Sequence, residues 1–269
     1  MNPDPCSCNS AHAHPFDHFL LTRFSVPNPH GDEPTDNWLQ ERFKLFERYC
    51  LPSVQVQSCP NFKWGLLIGP SIKSWALDRL KSLGIQEHQL VISQDWRGET
   101  AALEWMHQYT TGADLLTSRI DSDDAISRAF VERLHRTKVS SNAVALNFTR
   151  GLQVTHNGLL LTWSQSNPFI SLRIPGYHEK ASVLGMNHDE VSQKVETLQI
   201  HGKPAWLQVI HDSNLANSPN GIPVPPGYFR DSFPVPLPKH FYKMRRYPGD
   251  VRIGNQPVAR LRHLIRRVC

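Results

Sequence analysis

The chain has 269 residues, 39% of them hydrophobic and 20% charged. That is an ordinary globular composition with enough length for a full core, and no stretch approaches the roughly 18–20 unbroken apolar residues of a membrane-crossing helix. A net charge of +5 and a pI near 9.0 point to acidic partners such as nucleotides, anionic lipids or nucleic acid.

The first residues, Met1 to Cys8, carry neither a basic region nor an apolar core, which argues against a signal peptide and for a cytoplasmic location. The five cysteines, at 6, 8, 50, 59 and 269, are odd in number and form no Cys-x-x-Cys pair, as expected in a reducing compartment without structural zinc. Residues 1–15 read as a disordered start, in which Cys6, Cys8, His12 and His14 are at most adventitious chelators.

Phe16 to Phe24 reads as a first strand, and the Pro/Gly-rich stretch from Ser25 to Pro34 as loop. Asn37 is then the expected cap of a helix reaching about Tyr49, closed by Pro52. Phe62 to Ile68 predicts a second strand, Ser74 to Leu83 a helix stopped by Gly84, and Gln89 to Ser93 a third strand. A polar loop with Asp95 and Arg97 leads to a helix from Glu99 to about Tyr109, and Ala113 to Ile120 is the fourth strand. A helix from Ala125 to about Lys138 would complete a β-α alternation typical of a parallel, nucleotide-binding half over 16–140.

The second half, 141–217, is mixed. Ala143–Phe148 and Gly151–Thr155 are strand-like, and His156-Asn157-Gly158 is a hairpin turn into Leu159–Trp163. A loop from Asn167 enters a short strand, Asp189 to Val195 suggests a short helix, and Ala205 to His211 a late strand. From Pro219 to Pro238 the proline density predicts an extended arm rather than a folded element. Residues 241–269 hold eight Lys/Arg against one acid. Within them, Val258, Leu261, Leu264, Ile265 and Val268 form one face of a basic helix, fitted either to an anionic membrane or to docking on the domain. Nucleic acid is not expected, because no binding module accompanies the charge.

The chemistry concentrates at Asp121-Ser122-Asp123-Asp124, where an apolar strand ends. In an open α/β sheet such an end faces the ligand crevice. If the backbone stays extended, Asp121 and Asp123 point the same way and converge on one cation, Mg²⁺ or Mn²⁺ carrying a diphosphate. The other reading is an acidic turn capping the next helix, with Asp124 in that role. Neither a Walker loop nor a Gly-x-Gly-x-x-Gly follows the first strand, so a nucleotide would be held by metal and side chains.

His211, ending the late strand, is a candidate third metal ligand or a hydrogen-bonded strand-end histidine. Arg23, Arg97 and Arg119 each follow or end a predicted strand on the aspartate side, where each can pair with phosphate or neutralise carboxylates. With Asp121 and Asn214 they make up the substrate-binding candidates. Asp189, and His188 beside it, are either helix-start residues or the general base for an acceptor hydroxyl.

Several segments carry a resemblance in the same order: Leu21–Phe24, Phe46–Val54, Ser118–Ala125, Asn147–Gly151, Asn167–Leu172 and Trp206–His211. Over about residues 16–217 the chain resembles the family labelled putative rhamnosyltransferases, glycosyltransferases of the GT-A type. The resemblance implies a GT-A-like Rossmann-type sheet, a nucleotide-sugar donor, a glycan or glycolipid acceptor, and a divalent metal (Mn²⁺ or Mg²⁺) on Asp121 and Asp123. The chain departs from the family pattern after His211, where Asp212 stands in place of an expected glycine. A metal-dependent phosphohydrolase and a non-catalytic nucleotide- or glycan-binding protein are the alternative readings.

Overall fold

The computed structural model describes residues 16–112, 114–139, 142–176, 181–211 and 219–238. Asn214, the N-terminal cysteines and the basic C-terminal segment lie outside them.

Strand β1 (Phe16–Ser25) runs through the middle of a seven-stranded sheet. It is flanked in parallel by β2 (Lys63–Ile68) and β4 (Asp114–Arg119), and β3 (Leu90–Ile92) extends the edge beyond β2. On the other side of β4 lie β9 (Ser171–Ile174), antiparallel, then β6 (Val144–Phe148) and β10 (Glu196–Ile200), parallel to one another. This is the expected α/β, Rossmann-type, mostly parallel sheet flanked by helices, with the antiparallel strand coming from the mixed half.

Both faces of β1 are covered, as a central strand requires. Leu20 and Phe24 pack with Leu39, Phe43, Leu80 and Leu134, from α1 (Asp36–Leu45), α3 (Ser74–Ser82) and α5 (Phe130–Arg136). Phe19 and Leu21, one residue out of phase, pack with Ala102, Trp105, Met106 and Val191, from α4 (Glu99–His107) and α6 (His188–Lys194). The period of two thus sorts the strand residues between helix layers, and it sends Arg23 and Arg119 to the α4/α6 side.

A second sheet, ordered β12 (Ile222–Pro223), β8 (Gly158–Trp163), β7 (Arg150–Thr155), β11 (Trp206–Val209), β5 (Ala125–Ile126), stands beside the first. Its junction with the larger sheet is a polar and aromatic hub. Asn167 donates to Asn147 Oδ1 (2.7 Å) and to the Phe148 carbonyl (2.9 Å), and Trp206 Nε1 donates to that same carbonyl (2.8 Å). Phe169 stacks on the Trp206 ring at 5.2 Å. The ring leaves no space for a side chain at Gly151, where a Cβ would sit 2.0 Å from it.

Four local expectations change. Thr35, not Asn37, caps α1: its Oγ1 accepts from Trp38 N at 3.3 Å. Pro52 does not close that helix, because a wide π turn over Phe46–Cys50 carries the chain into α2 (Leu51–Gln55), where proline near the first position needs no hydrogen bond of its own. The helix expected from Ala125 begins only at Phe130, since Ala125 and Ile126 pair with Leu207 and Trp206. The proline-rich stretch is folded onto the domain rather than extended away: Ile222–Pro223 pair with β8, and Val224, Phe229, Phe233 and Val235 are buried in the core of the second sheet. Strand β10 had no counterpart among the predicted elements.

Candidate functional site at the carboxyl end of the sheet

The carboxyl ends of β1, β2, β3 and β4 lie on one side, and the expected site residues among those described gather there. The pairing of β1 with β2 shifts register between Arg23 and Ser25, a bulge-like irregularity at the strand end. Arg23 reaches Asp121, with Nη2 3.6 Å from Oδ1.

The acidic segment is a turn, closed by Asp124 N donating to the Asp121 carbonyl at 3.1 Å. Extended-strand parity therefore ends with β4, and the carboxylates meet different partners. Asp121 faces Arg23 with 37% of its side chain exposed. Asp123 is buried and its Oδ2 takes both Arg42 Nη1 (2.7 Å) from α1 and His211 Nε2 (2.9 Å) beyond β11. Asp124 does not cap a helix; its Oδ1 accepts from Val209 N at 2.8 Å and ties the turn to β11.

Two neighbouring carboxyls in one buried turn are driven apart. Burial first, and then the charges of Asp123 and Asp121, push Asp124 well above the usual carboxylate range. Burial pushes Asp123 the same way, but the hydrogen bonds and charges of His211 and Arg42 outweigh it and hold that carboxyl below its ordinary value. At neutral pH the turn thus carries an anionic, doubly bonded Asp123 beside an Asp124 that resists ionisation.

On the α4/α6 side, Arg119 is buried and spends its guanidinium on main-chain carbonyls. Its Nε donates to Pro168 O (2.6 Å) and its Nη1 to Met186 O (3.4 Å), so it braces the loop from the Asn147–Asn167 hub against the approach to α6. Burial brings its pKa down to about 10, opposed by Asp121 and Asp189 and assisted by Arg23. His188 and Asp189, the first residues of α6, lie within coulombic reach of this group. The His188 imidazole is held below its ordinary pKa by burial and then by Arg119, which leaves it neutral at physiological pH. Its carbonyl accepts from Ser166 Oγ. The two candidate bases, 67 and 68 residues beyond Asp121 in the chain, thus come within electrostatic reach of the turn and its arginines.

Arg97 sits in the β3–α4 loop, donates from Nη1 to Gly185 O (3.2 Å), and stacks on Trp96 with Cζ 4.8 Å from the ring. Arg23 approaches the same ring at 5.9 Å. Trp96 and Arg42 escaped the sequence reading. Arg42 lies on the polar side of an amphipathic helix, four residues after Trp38 on whose ring it stacks at 4.6 Å, and nothing local marks it as the partner of Asp123. Among the described residues, no three His, Cys, Asp or Glu side chains are grouped so as to hold a metal ion by themselves.

Arginines and carboxylates thus converge at the carboxyl end of an α/β sheet, the place where such sheets bind ligands. The family follows from the sequence: the model described as "Putative rhamnosyl transferase" matches residues 34–222, and the chain belongs to that family, a family of transferases. No curated protein matches it. Among solved structures, the inositol-1-phosphate CTP transferase of T. maritima is similar at 10% identity over 74% of this chain and 91% of that one, with a TM-score of 0.36. S. aureus TarS is similar at 9% identity over 72% of this chain and 36% of its own, with a TM-score of 0.40. Likeness at this level does not extend to function.

Proposed function

We propose that the protein is a metal-dependent glycosyltransferase that moves a sugar from a nucleoside-diphosphate donor to the hydroxyl of a glycan or glycolipid acceptor. The family description makes rhamnose the first donor sugar to test. The observation that carries the reading is the asymmetry of the acidic turn. Asp123 is closed off by two bonds, at 2.7 and 2.9 Å, whereas Asp121 is partly exposed and only loosely paired with a guanidinium, at 3.6 Å. A carboxylate and an arginine presented together at a strand end suit a metal-bound diphosphate.

The donor set fits a hard divalent cation. Mg²⁺ and Mn²⁺ bound with phosphates take one or two protein carboxylates and complete their shell with phosphate oxygens and water, so a cluster of three protein donors is not required. Asp121 would be the first ligand, with Asp123 and His211 joining only by giving up part of their mutual bond. Such a cation supplies Lewis acidity towards the departing diphosphate. Arg23 adds positive charge on the same side. Asp189, or the neutral imidazole of His188, takes the proton of the acceptor hydroxyl. Arg119 holds the two loops that frame this pair. The basic residues 241–269 supply a candidate contact with an anionic membrane, where a glycolipid acceptor would reside.

Calorimetric titration of the full chain with UDP, GDP and dTDP, with and without Mn²⁺, tests this. Metal-enhanced binding of at least one of them, lost in Asp121→Ala, is expected. No enhancement with any would overturn it, and phosphate-ester hydrolysis without an acceptor would replace it with the phosphohydrolase.

A further inference from the structure

We infer that Trp96 is the platform on which the nucleobase of the donor stacks, an inference resting on the nucleotide-donor reading above. Three groups lie in a row across the carboxyl ends of the strands: Asp121 after β4, Arg23 at the end of β1, and Trp96 after β3. The strand order β4-β1-β2-β3 puts the base of the Trp96 loop three strand spacings from Asp121, about 14 Å. The indole itself is nearer, since the Arg23 guanidinium lies 3.6 Å from Asp121 and 5.9 Å from the ring, a span that a diphosphate with its ribose covers. With the diphosphate at Asp121 and Arg23, the only direction along the strand ends that stays within the parallel half leads to Trp96.

The indole is held for this use. Ser93 Oγ donates to the Asp95 carbonyl (2.8 Å), and Asp95 Oδ1 accepts from both Arg97 N and Gly98 N (2.8 Å each), which closes the loop around the Trp96 backbone. Gly98 takes φ +72° and has Leu67 where a Cβ would go, so the turn into α4 has one available shape. Arg97 lies on the ring at 4.8 Å and is itself anchored to Gly185 O. Arg23, at 5.9 Å, is at the outer limit of a cation–π contact, too far to be stacked against the ring. A half-buried aromatic at a loop tip, fixed beside two guanidinium groups, matches what a base and its phosphates need together: a flat apolar face and adjacent positive charge.

The test titrates the full chain, Trp96→Ala and Trp96→Phe with UDP, GDP, dTDP and inorganic pyrophosphate in the presence of Mn²⁺. Stacking predicts that Trp96→Ala binds the preferred nucleoside diphosphate roughly 5- to 100-fold more weakly, that Trp96→Phe stays within about threefold of the parent, and that pyrophosphate binding is unchanged in both. Unchanged nucleotide binding by Trp96→Ala would overturn the assignment, also if turnover of a sugar nucleotide falls, since the ring would then serve a sugar. An equal loss for pyrophosphate would overturn it too, showing that the indole acts through Arg23. If the parent chain binds pyrophosphate but no nucleoside diphosphate, the nucleotide-donor reading itself is wrong and this inference falls with it.

Discussion

Adjacent carboxylates of one turn do different work here, and single substitutions separate them. Asp121 has 37% of its side chain exposed, so Asp121→Asn should change folding stability by less than about 1 kcal/mol while abolishing metal-enhanced nucleotide binding. Asp123→Ala strands the Arg42 guanidinium, whose side chain is 15% exposed, and should cost about 3 kcal/mol in urea unfolding, whatever its effect on turnover. A second residue-scale expectation concerns His18, buried between Ser118 Oγ and His135 Nε2 at 2.9 Å each. Burial, and then the charge of His135, hold its imidazole well below its ordinary pKa. The unfolded chain therefore takes up a proton near pH 6.5 that the folded chain refuses. Its contribution is complete above that pH and is lost as the pH falls towards the folded value, at up to about 1.4 kcal/mol per pH unit. The difference in urea midpoint between pH 7.5 and 5.5 should accordingly be smaller in His18→Gln than in the parent.

At the scale of elements, the loop between β3 and α4 and the proline-rich segment are the parts whose local chemistry has consequences at a distance. Gly98→Ala demands a left-handed backbone from alanine and puts its Cβ 2.0 Å from Leu67 Cδ2. A loss of about 2 kcal/mol is expected by thermal or urea melting, together with weaker nucleotide binding as Trp96 is displaced. In the segment 219–238, Phe233 is fully buried and Tyr228 is 62% exposed. Phe233→Ala should cost about 3–5 kcal/mol and Tyr228→Ala almost nothing, a contrast that an extended arm would not give.

For the molecule as a whole, the two sheets share structure at several points. The acidic turn leads from β4 of one sheet to β5 of the other, and Ile126 and Trp206 of the second sheet belong to the same buried cluster as Leu20 and Leu146 of the first. The two sheets should therefore unfold together: tryptophan fluorescence and far-ultraviolet circular dichroism should report one urea transition with a common midpoint. Two separated midpoints would assign the sheets to independent units. Among the described residues, no helix is long and apolar enough to cross a membrane.

By itself, the sequence determined the parallel half almost completely. Its strands are short apolar runs, its helices carry local stop signals such as Gly84, and each element is specified within its own ten or so residues. The sequence also placed Arg23, Asp121, His188 and Asp189 at element ends, where a crevice would gather them. Only the tertiary structure decided the rest, because the deciding contacts are far apart in the chain. β5 and β12 are two residues long and have no periodicity to read; they exist through β11 and β8. The polar edge strand β10, with Leu198 exposed, has no apolar run and is held by its ladder to β6. The acidic turn changed most. Its residues suggested two like ligands, but Arg42 on one side and Val209, 85 residues away, on the other fasten Asp123 and Asp124 into the protein. Asp121 is left partly exposed, facing Arg23.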